Sequence, residues 1–273
     1  GAQAGGARRW FKFLGFSFQP SELLKIGLIF YMADFLDRHR QSLRQFKRTV
    51  LPALGILGVA IGLVFKQPDF GTAITISAVV FIMFFVSGFN VLHLAGLFLM
   101  ALPPLYYAMM SKPYRRKRLL AFFHPWEDPR GVGFQIIQSF LALGCGGLFG
   151  VGLGRSQQKL FYLPESHTDF IFSIIGEELG FVGAVSIVIL FVVFIFAGMV
   201  IAYRCRTFFS QLMTIGLVSL VGFEAAINIG VSIGALPTKG LSLPFISYGG
   251  SALLANLVVL GLLMNISRTA VVE

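Results

Sequence analysis

The chain has 273 residues, of which 56% are hydrophobic, 30 are Phe and only 12% are charged. Soluble domains carry roughly 25% charge, so this composition excludes an ordinary globular domain and, with a mean hydropathy of +0.81, points to a membrane protein. The net charge of +10 is no argument for nucleic acid, because basic residues of membrane proteins gather at the headgroups.

A span needs about 20 apolar residues to cross a ~30 Å hydrocarbon core. Its backbone groups must bond within the segment, so helices are expected. The sequence predicts spans at 21–36, 49–65, 70–88, 91–110, 171–203, 211–234 and 243–266. Residues 179–203 and 240–267 carry no charge, and 70–111 carry none apart from His93. Turn signals divide the spans at Gln67-Pro68-Asp69-Phe70-Gly71, Ser87-Gly88-Phe89-Asn90 and Leu236-Pro237-Thr238-Lys239-Gly240. The expected fold is all-α, a polytopic bundle of about seven crossings in one domain, 1–273. The chain starts at Gly1 with no signal-peptide pattern before the first loop, and is expected to be the C-terminal part of something longer. Cys145 and Cys205 have no metal or redox spacing and are expected to be buried free thiols.

Residues 134–153 are apolar but hold five glycines: Gly144, Gly146, Gly147, Gly150 and Gly152. Basic residues concentrate in short cytoplasmic loops, and this arbitrates whether the segment crosses. If it does not, Arg38, Arg40, Arg44, Lys47 and Arg48 share a side with Arg204, Arg206 and Arg268. The short loops of the other side then hold only Lys66 and Lys239, with Arg8, Arg9 and Lys12 at the start. The segment therefore reads as re-entrant or lying in the interface, and 111–170 as one large outward-facing loop. That loop carries Lys112, Arg115, Arg116, Lys117, Arg118, Arg130, Arg155 and Lys159, a cationic set suited to an anionic headgroup or diphosphate.

Candidate chemistry lies in Tyr162-Leu163-Pro164-Glu165-Ser166-His167-Thr168-Asp169-Phe170, which ends the loop at the mouth of the next span. Asp169 has a bland reading as a helix N-cap. Against it stand three titratable groups, Glu165, His167 and Asp169, beside a basic loop. Gly176, Gly180, Gly183 and Ala184 fall within about 60° of Asp169 on a helical wheel. They form either a close helix contact or a groove for a lipid tail. Glu22 and Lys25 read as a structural pair, Glu224 with Asn228 as a packing or functional pair, and Glu177 and Glu178 as groups holding the helix against neighbours.

In these residues the sequence resembles the SEDS family (shape, elongation, division, sporulation), its FtsW/SpoVE branch more than RodA. The matching stretches include Gly6-Ala7-Arg8-Arg9-Trp10, Phe18-Gln19-Pro20-Ser21-Glu22-Leu23 and Pro125-Trp126-Glu127-Asp128-Pro129. Further matches are Gly152-Leu153-Gly154-Arg155-Ser156-Gln157-Gln158-Lys159, Leu163 through Phe172, Gly176 through Gly180, Leu236 through Gly240 and Leu243 through Ser251. The resemblance implies a ten-helix fold of which the last seven are present here. It implies a peptidoglycan glycosyltransferase of the bacterial cytoplasmic membrane that polymerises lipid II on its outer face, in septal or spore wall synthesis. The implied partners are lipid II, a polyprenyl-diphosphate-linked glycan, a class B penicillin-binding protein and other divisome proteins. It also implies a catalytic role for Asp169 and functional roles for Arg115, Arg118, Arg9 and Lys239.

The expected chemistry is attack by a sugar hydroxyl on an anomeric carbon carrying a polyprenyl diphosphate. Asp169 takes the proton, with His167 as a rival base. Arg115, Arg118, Lys159 and Lys239, or a divalent ion (Mg2+ or Mn2+), hold the diphosphates, with Glu165 alongside. No resident metal site is assigned. An ordinary Asp is a weak base, so desolvation or a metal-bound role is implied. A lipid flippase using Glu22, Lys25 and Glu224, or a non-enzymatic scaffold, are the alternatives.

Overall fold

The computed structural model describes residues 2–4, 7–13, 16–43, 51–67, 69–111, 113–129, 131, 133–158 and 167–271. Residues 44–48 of the expected basic loop 37–48, together with Lys112, Arg130, Lys159 and Glu165, lie outside the described residues, as do the side chains of Arg9 and Arg115.

Nine α-helices and three short strands are found among the described residues. The strands β1 (Ala2–Ala4), β2 (Ala7–Phe13) and β3 (Phe16–Phe18) pair antiparallel in the order β1-β2-β3. They precede the membrane bundle and were not expected from the sequence. The helices are α1 (Pro20–Arg38), α2 (Leu51–Lys66), α3 (Phe70–Val86), α4 (Val91–Met110), α5 (Pro113–Phe123) and α6 (Phe134–Gly146). They continue with α7 (Ile171–Arg204), α8 (Phe208–Ser232) and α9 (Gly250–Val271). Each of the seven predicted spans coincides with a helix, so the chain is a polytopic membrane helical bundle. Three helices, in α7, α8 and α9, are long and apolar enough to cross a membrane by themselves, while α2, α3, α4 and α6 are shorter apolar helices. α6 has 13 residues, about 20 Å at ~1.5 Å per residue, which is short of a ~30 Å core.

The chain divides into two compact units. The first comprises Gly1–Leu97, Phe194–Phe223 and Gly249–Glu273. In it α1 packs against α2, α3 and α9. Asp69 caps α3, accepting from Thr72 N at 3.1 Å and from the Thr72 hydroxyl at 2.8 Å. Lys25, buried, pairs with Glu22 at 2.8 Å, the structural ion pair that their spacing suggests. The second unit comprises Phe98–Val193 and Glu224–Tyr248, and it contains the 111–170 segment with its two helices, α5 and α6.

Three expectations are corrected here. The span expected at 243–266 begins instead at Gly250. Leu243–Ile246 forms a tight turn, with Ile246 N donating to Leu243 O at 3.2 Å and Phe245 at φ 65°, and no helix runs through that geometry. The thiols are both free, but Cys145 is exposed on the last turn of α6 and Cys205 is half-buried.

The third correction concerns the small-residue strip below Asp169. α7 is broken at Gly180, where φ is 69° and ψ is −167°. A continuous helix would bond Phe181 N to Glu177 O and Val182 N to Glu178 O. Here those four groups turn to the glycine-rich loop after α6. Phe181 N donates to Gly147 O at 2.8 Å and Val182 N to Leu148 O at 3.2 Å, while Val151 N donates to Glu177 O at 3.0 Å and Gly152 N to Glu178 O at 3.1 Å. The four groups that the break frees are thus all paired, which a helix broken within a membrane protein demands. A Cβ at Gly150 or Gly180 would overlap backbone across this junction, and one at Gly146 would overlap Gly176 O. The strip is therefore a close contact, filled by the loop, and the helical wheel does not continue past Gly180.

Candidate functional site

The site grows from two segments of the second unit. Residues 167–170 make a turn that leads into α7, and residues 233–249 connect α8 to α9. Each is anchored by apolar side chains. Phe170, 2% exposed, sits with Ile174 and Val231, and Phe172 packs with Leu243, Ala184 and Ala225. Ser173 N and Ile174 N both reach Phe170 O, so Phe170 occupies the N-cap position. Asp169 lies one residue outside the helix, and the N-cap reading of Asp169 is corrected accordingly.

The two segments are joined at three successive carbonyls. Tyr248 N donates to His167 O at 2.9 Å, the Ser247 hydroxyl to Thr168 O at 2.6 Å, and Asn228 Nδ2 to Asp169 O at 2.9 Å. Asn228, on α8, gives its second amide hydrogen to Leu241 O at 2.7 Å. Ser247 Oγ in turn accepts from Leu243 N at 2.7 Å. At Gly240 an added Cβ would stand 3.0 Å from Asp169 Oδ2, so the backbone of the 239–241 turn lies against the Asp169 carboxylate. Leu241 N donates to Lys239 O at 3.1 Å and tightens that turn.

Lys239, next to Gly240, is largely buried, and burial lowers its ammonium from the usual 10.5 to about 8. Desolvation disfavours the charged form. His167 is exposed and Asp169 half-buried, which leaves both within reach of a ligand.

The other expected residues fall as follows. Arg118 is exposed on α5, and Arg115 lies on the same helix. Arg9 lies on β2 in the first unit. Among the described residues no group of three His, Cys, Asp or Glu side chains could hold a metal ion. Of the expected acidic residues Glu165 lies outside the described ones, so Asp169 would offer a divalent ion a single carboxylate. Glu177 holds the structure, as its direction on the helix suggests. Its carboxylate accepts from the Ser156 hydroxyl and from Gln157 N at 3.0 Å, fixing the strand of loop that follows the glycine turn. Ser139 of α6 bonds Ser173 of α7 and donates to Ser232 O at 2.7 Å, so the three helices around the site share one buried polar knot.

Sequence reasoning does not place Ser247 and Gly240 at the site, although both stand inside motifs that carry the family resemblance. Asn228 stands out there only as a packing or functional pair with Glu224, and its amide reaches the carbonyls of Asp169 and Leu241.

Comparison with known proteins follows the same line. The chain is 46% identical to the probable peptidoglycan glycosyltransferase FtsW of Geobacter metallireducens, over 98% of this chain and 71% of that protein. It is 44% identical to stage V sporulation protein E of Bacillus subtilis, over 96% of this chain and 72% of that one. Among solved structures it is similar to a chain of a peptidoglycan synthase complex that couples polymerization and crosslinking. The TM-score is 0.81 and the identity 37%, over 100% of this chain and 76% of that one. It is also similar to the rod shape determining protein RodA of Thermus thermophilus, with a TM-score of 0.69 and 33% identity over 99% of this chain and 72% of that one. With residues 1–271 matching the family of cell cycle proteins FtsW, RodA and SpoVE, the chain belongs to that family.

Proposed function

We propose that this chain is the membrane domain of a peptidoglycan glycosyltransferase that polymerises lipid II in the bacterial cytoplasmic membrane, with its site on the outer face. The observation that carries the reading is the junction at Asp169. A carboxylate at a helix mouth lies against the turn bearing a partly buried lysine, and three hydrogen bonds hold the two segments together.

The reaction joins the 4-hydroxyl of one sugar to the anomeric carbon of a lipid-linked glycan. The O4–C1 bond forms as the bond from C1 to the diphosphate oxygen breaks, the hydroxyl proton passes to an Asp169 oxygen, and the polyprenyl diphosphate leaves as an anion. Such a leaving group needs charge neutralisation rather than a proton, so one base with a cationic cradle suffices. Lys239 supplies a cation beside Asp169, while Arg118, Arg115, Lys159 and Arg9 are the further candidates for holding diphosphate. Glu165 and His167 border the same turn and would contact the sugars. The family's resemblance and the similar synthase complex support a penicillin-binding transpeptidase as partner.

The test is Asp169→Asn in the full-length protein with its transpeptidase partner, supplied with purified lipid II. Loss of glycan polymer is expected; polymer made at the parent rate overturns the assignment. Lipid translocation lost in place of polymerisation would favour a flippase.

A further inference from the structure

Asn228 is 1% exposed on α8, and its amide nitrogen reaches two carbonyls from different segments. One is Asp169 O at 2.9 Å, and the other is Leu241 O at 2.7 Å. Both partners are pure acceptors, so the nitrogen must face them and the assignment of the amide is fixed by its neighbours. This one rigid fork sets the spacing between the residue carrying the Asp169 carboxylate and the turn that ends at Leu241. That turn begins at Lys239 and brings Gly240 against Asp169 Oδ2. The remaining links, Tyr248 N to His167 O and Ser247 to Thr168 O, hold the neighbouring carbonyls of the same turn.

We infer that Asn228 is a positioning residue for the transferase reaction, fixing the distance between the Asp169 carboxylate and the 239–241 turn without touching substrate. The inference rests on the proposed role of Asp169. An asparagine is suited to it because its amide gives two hydrogens from one atom on a short, two-torsion side chain. Aspartate offers acceptors only when ionised, serine one hydrogen, and alanine none. Reaction rates are sensitive to displacements of this kind: a shift of about 1 Å costs on the order of 100-fold.

The test compares Asn228→Ala, Asn228→Asp and Asp169→Asn with the parent in the full-length protein and its complex. The readouts are glycan polymerisation from lipid II at several substrate concentrations and pH values, and thermal unfolding. Asn228→Ala is expected to lower kcat about 10- to 100-fold with a smaller rise in KM, since the turn it releases carries Lys239 while Arg115 and Arg118 stay on α5. A KM rise with unchanged kcat, or a kcat within about twofold of the parent, overturns the inference. If Asn228→Ala does not fold, Asn228→Asp decides. Protonated, its carboxyl can give one carbonyl its hydrogen; ionised, it repels both. Its activity relative to the parent should therefore rise as pH falls, and a ratio flat with pH overturns the inference. Asp169→Asn separates the two readings. If it works at the parent rate, the catalytic reading fails. If it is dead while Asn228→Ala is unaffected, only the positioning role fails.

Discussion

Lys239 offers the sharpest test of how this site holds charge. Burial takes its ammonium from 10.5 to about 8, and at ~1.4 kcal/mol per pKa unit the charged form in the folded loop costs about 3 kcal/mol. Because the folded-state value lies below the unfolded one, this cost is present in full below pH 8. It shrinks between pH 8 and 10.5 and is gone above that. Lys239→Met keeps the length and removes the charge. The unliganded variant should therefore be more stable than the parent at pH 7, by up to about 3 kcal/mol, with the gain fading as pH rises toward 10.5. Its polymerisation of lipid II should fall, because the cation that a diphosphate would neutralise is gone. In the parent, activity should decline above pH 8 as Lys239 loses its proton, and that alkaline limb should be missing in whatever activity Lys239→Met retains. Thermal unfolding and a glycan gel assay across pH 6 to 10 read both effects. A variant less stable than the parent at pH 7, or an unchanged alkaline limb near pH 8, refutes the reasoning.

Three further outcomes follow from the geometry. Gly240→Ala sets a Cβ 3.0 Å from Asp169 Oδ2, so turnover should drop on the order of tenfold with little change in melting temperature. Gly146→Ala drives a methyl into Gly176 O; forcing α6 away from α7 should cost about 1–3 kcal/mol, read by thermal unfolding. Glu177→Gln replaces a buried carboxylate that accepts from Ser156 and Gln157 N, and the weaker bonds should cost about 2 kcal/mol, also read by unfolding.

The helices were legible because long charge-free runs have one solution in a bilayer, and their order and number follow from those runs. What the sequence hid were the departures from periodicity. Gly180 sits in an unbroken apolar stretch, and the partners that satisfy its break, Gly147 to Gly152, come some thirty residues earlier. Nothing local marks that pairing. Pro244 and the paired glycines 249 and 250 signal a turn, yet the apolar residues around them read as the start of a span, which moved the expected helix seven residues too early. At the site, titratable residues stand out by type, which is why Asp169, His167 and Lys239 are the candidates that the sequence offers. Asn228 and Ser247 act through backbone carbonyls of distant segments, and such bonds leave no mark in spacing.

The break in α7 also bears on the depth of the site. From Phe181 to Arg204 the helix is about 36 Å long at ~1.5 Å per residue, enough by itself to cross a ~30 Å core. The stretch Ile171–Leu179 is therefore not needed for crossing, and it carries Glu177 and Glu178, which hydrocarbon would not tolerate. Gly180 divides a lipid-crossing helix from a short polar-ended one, and the glycine loop that seals it bears exposed Leu148, Phe149 and Leu153, side chains suited to the boundary between tails and headgroups. Asp169 precedes the nine-residue segment Ile171–Leu179, which is about 14 Å long at ~1.5 Å per residue. A diphosphate headgroup held at Lys239 would lie at the level of Asp169 with its polyprenyl tail still in the bilayer. Residues 181–203 carry no charge, so the lipid-crossing part of α7 offers no polar path, and the charges a flippase would use, Glu22, Lys25 and Glu224, lie on α1 and α8.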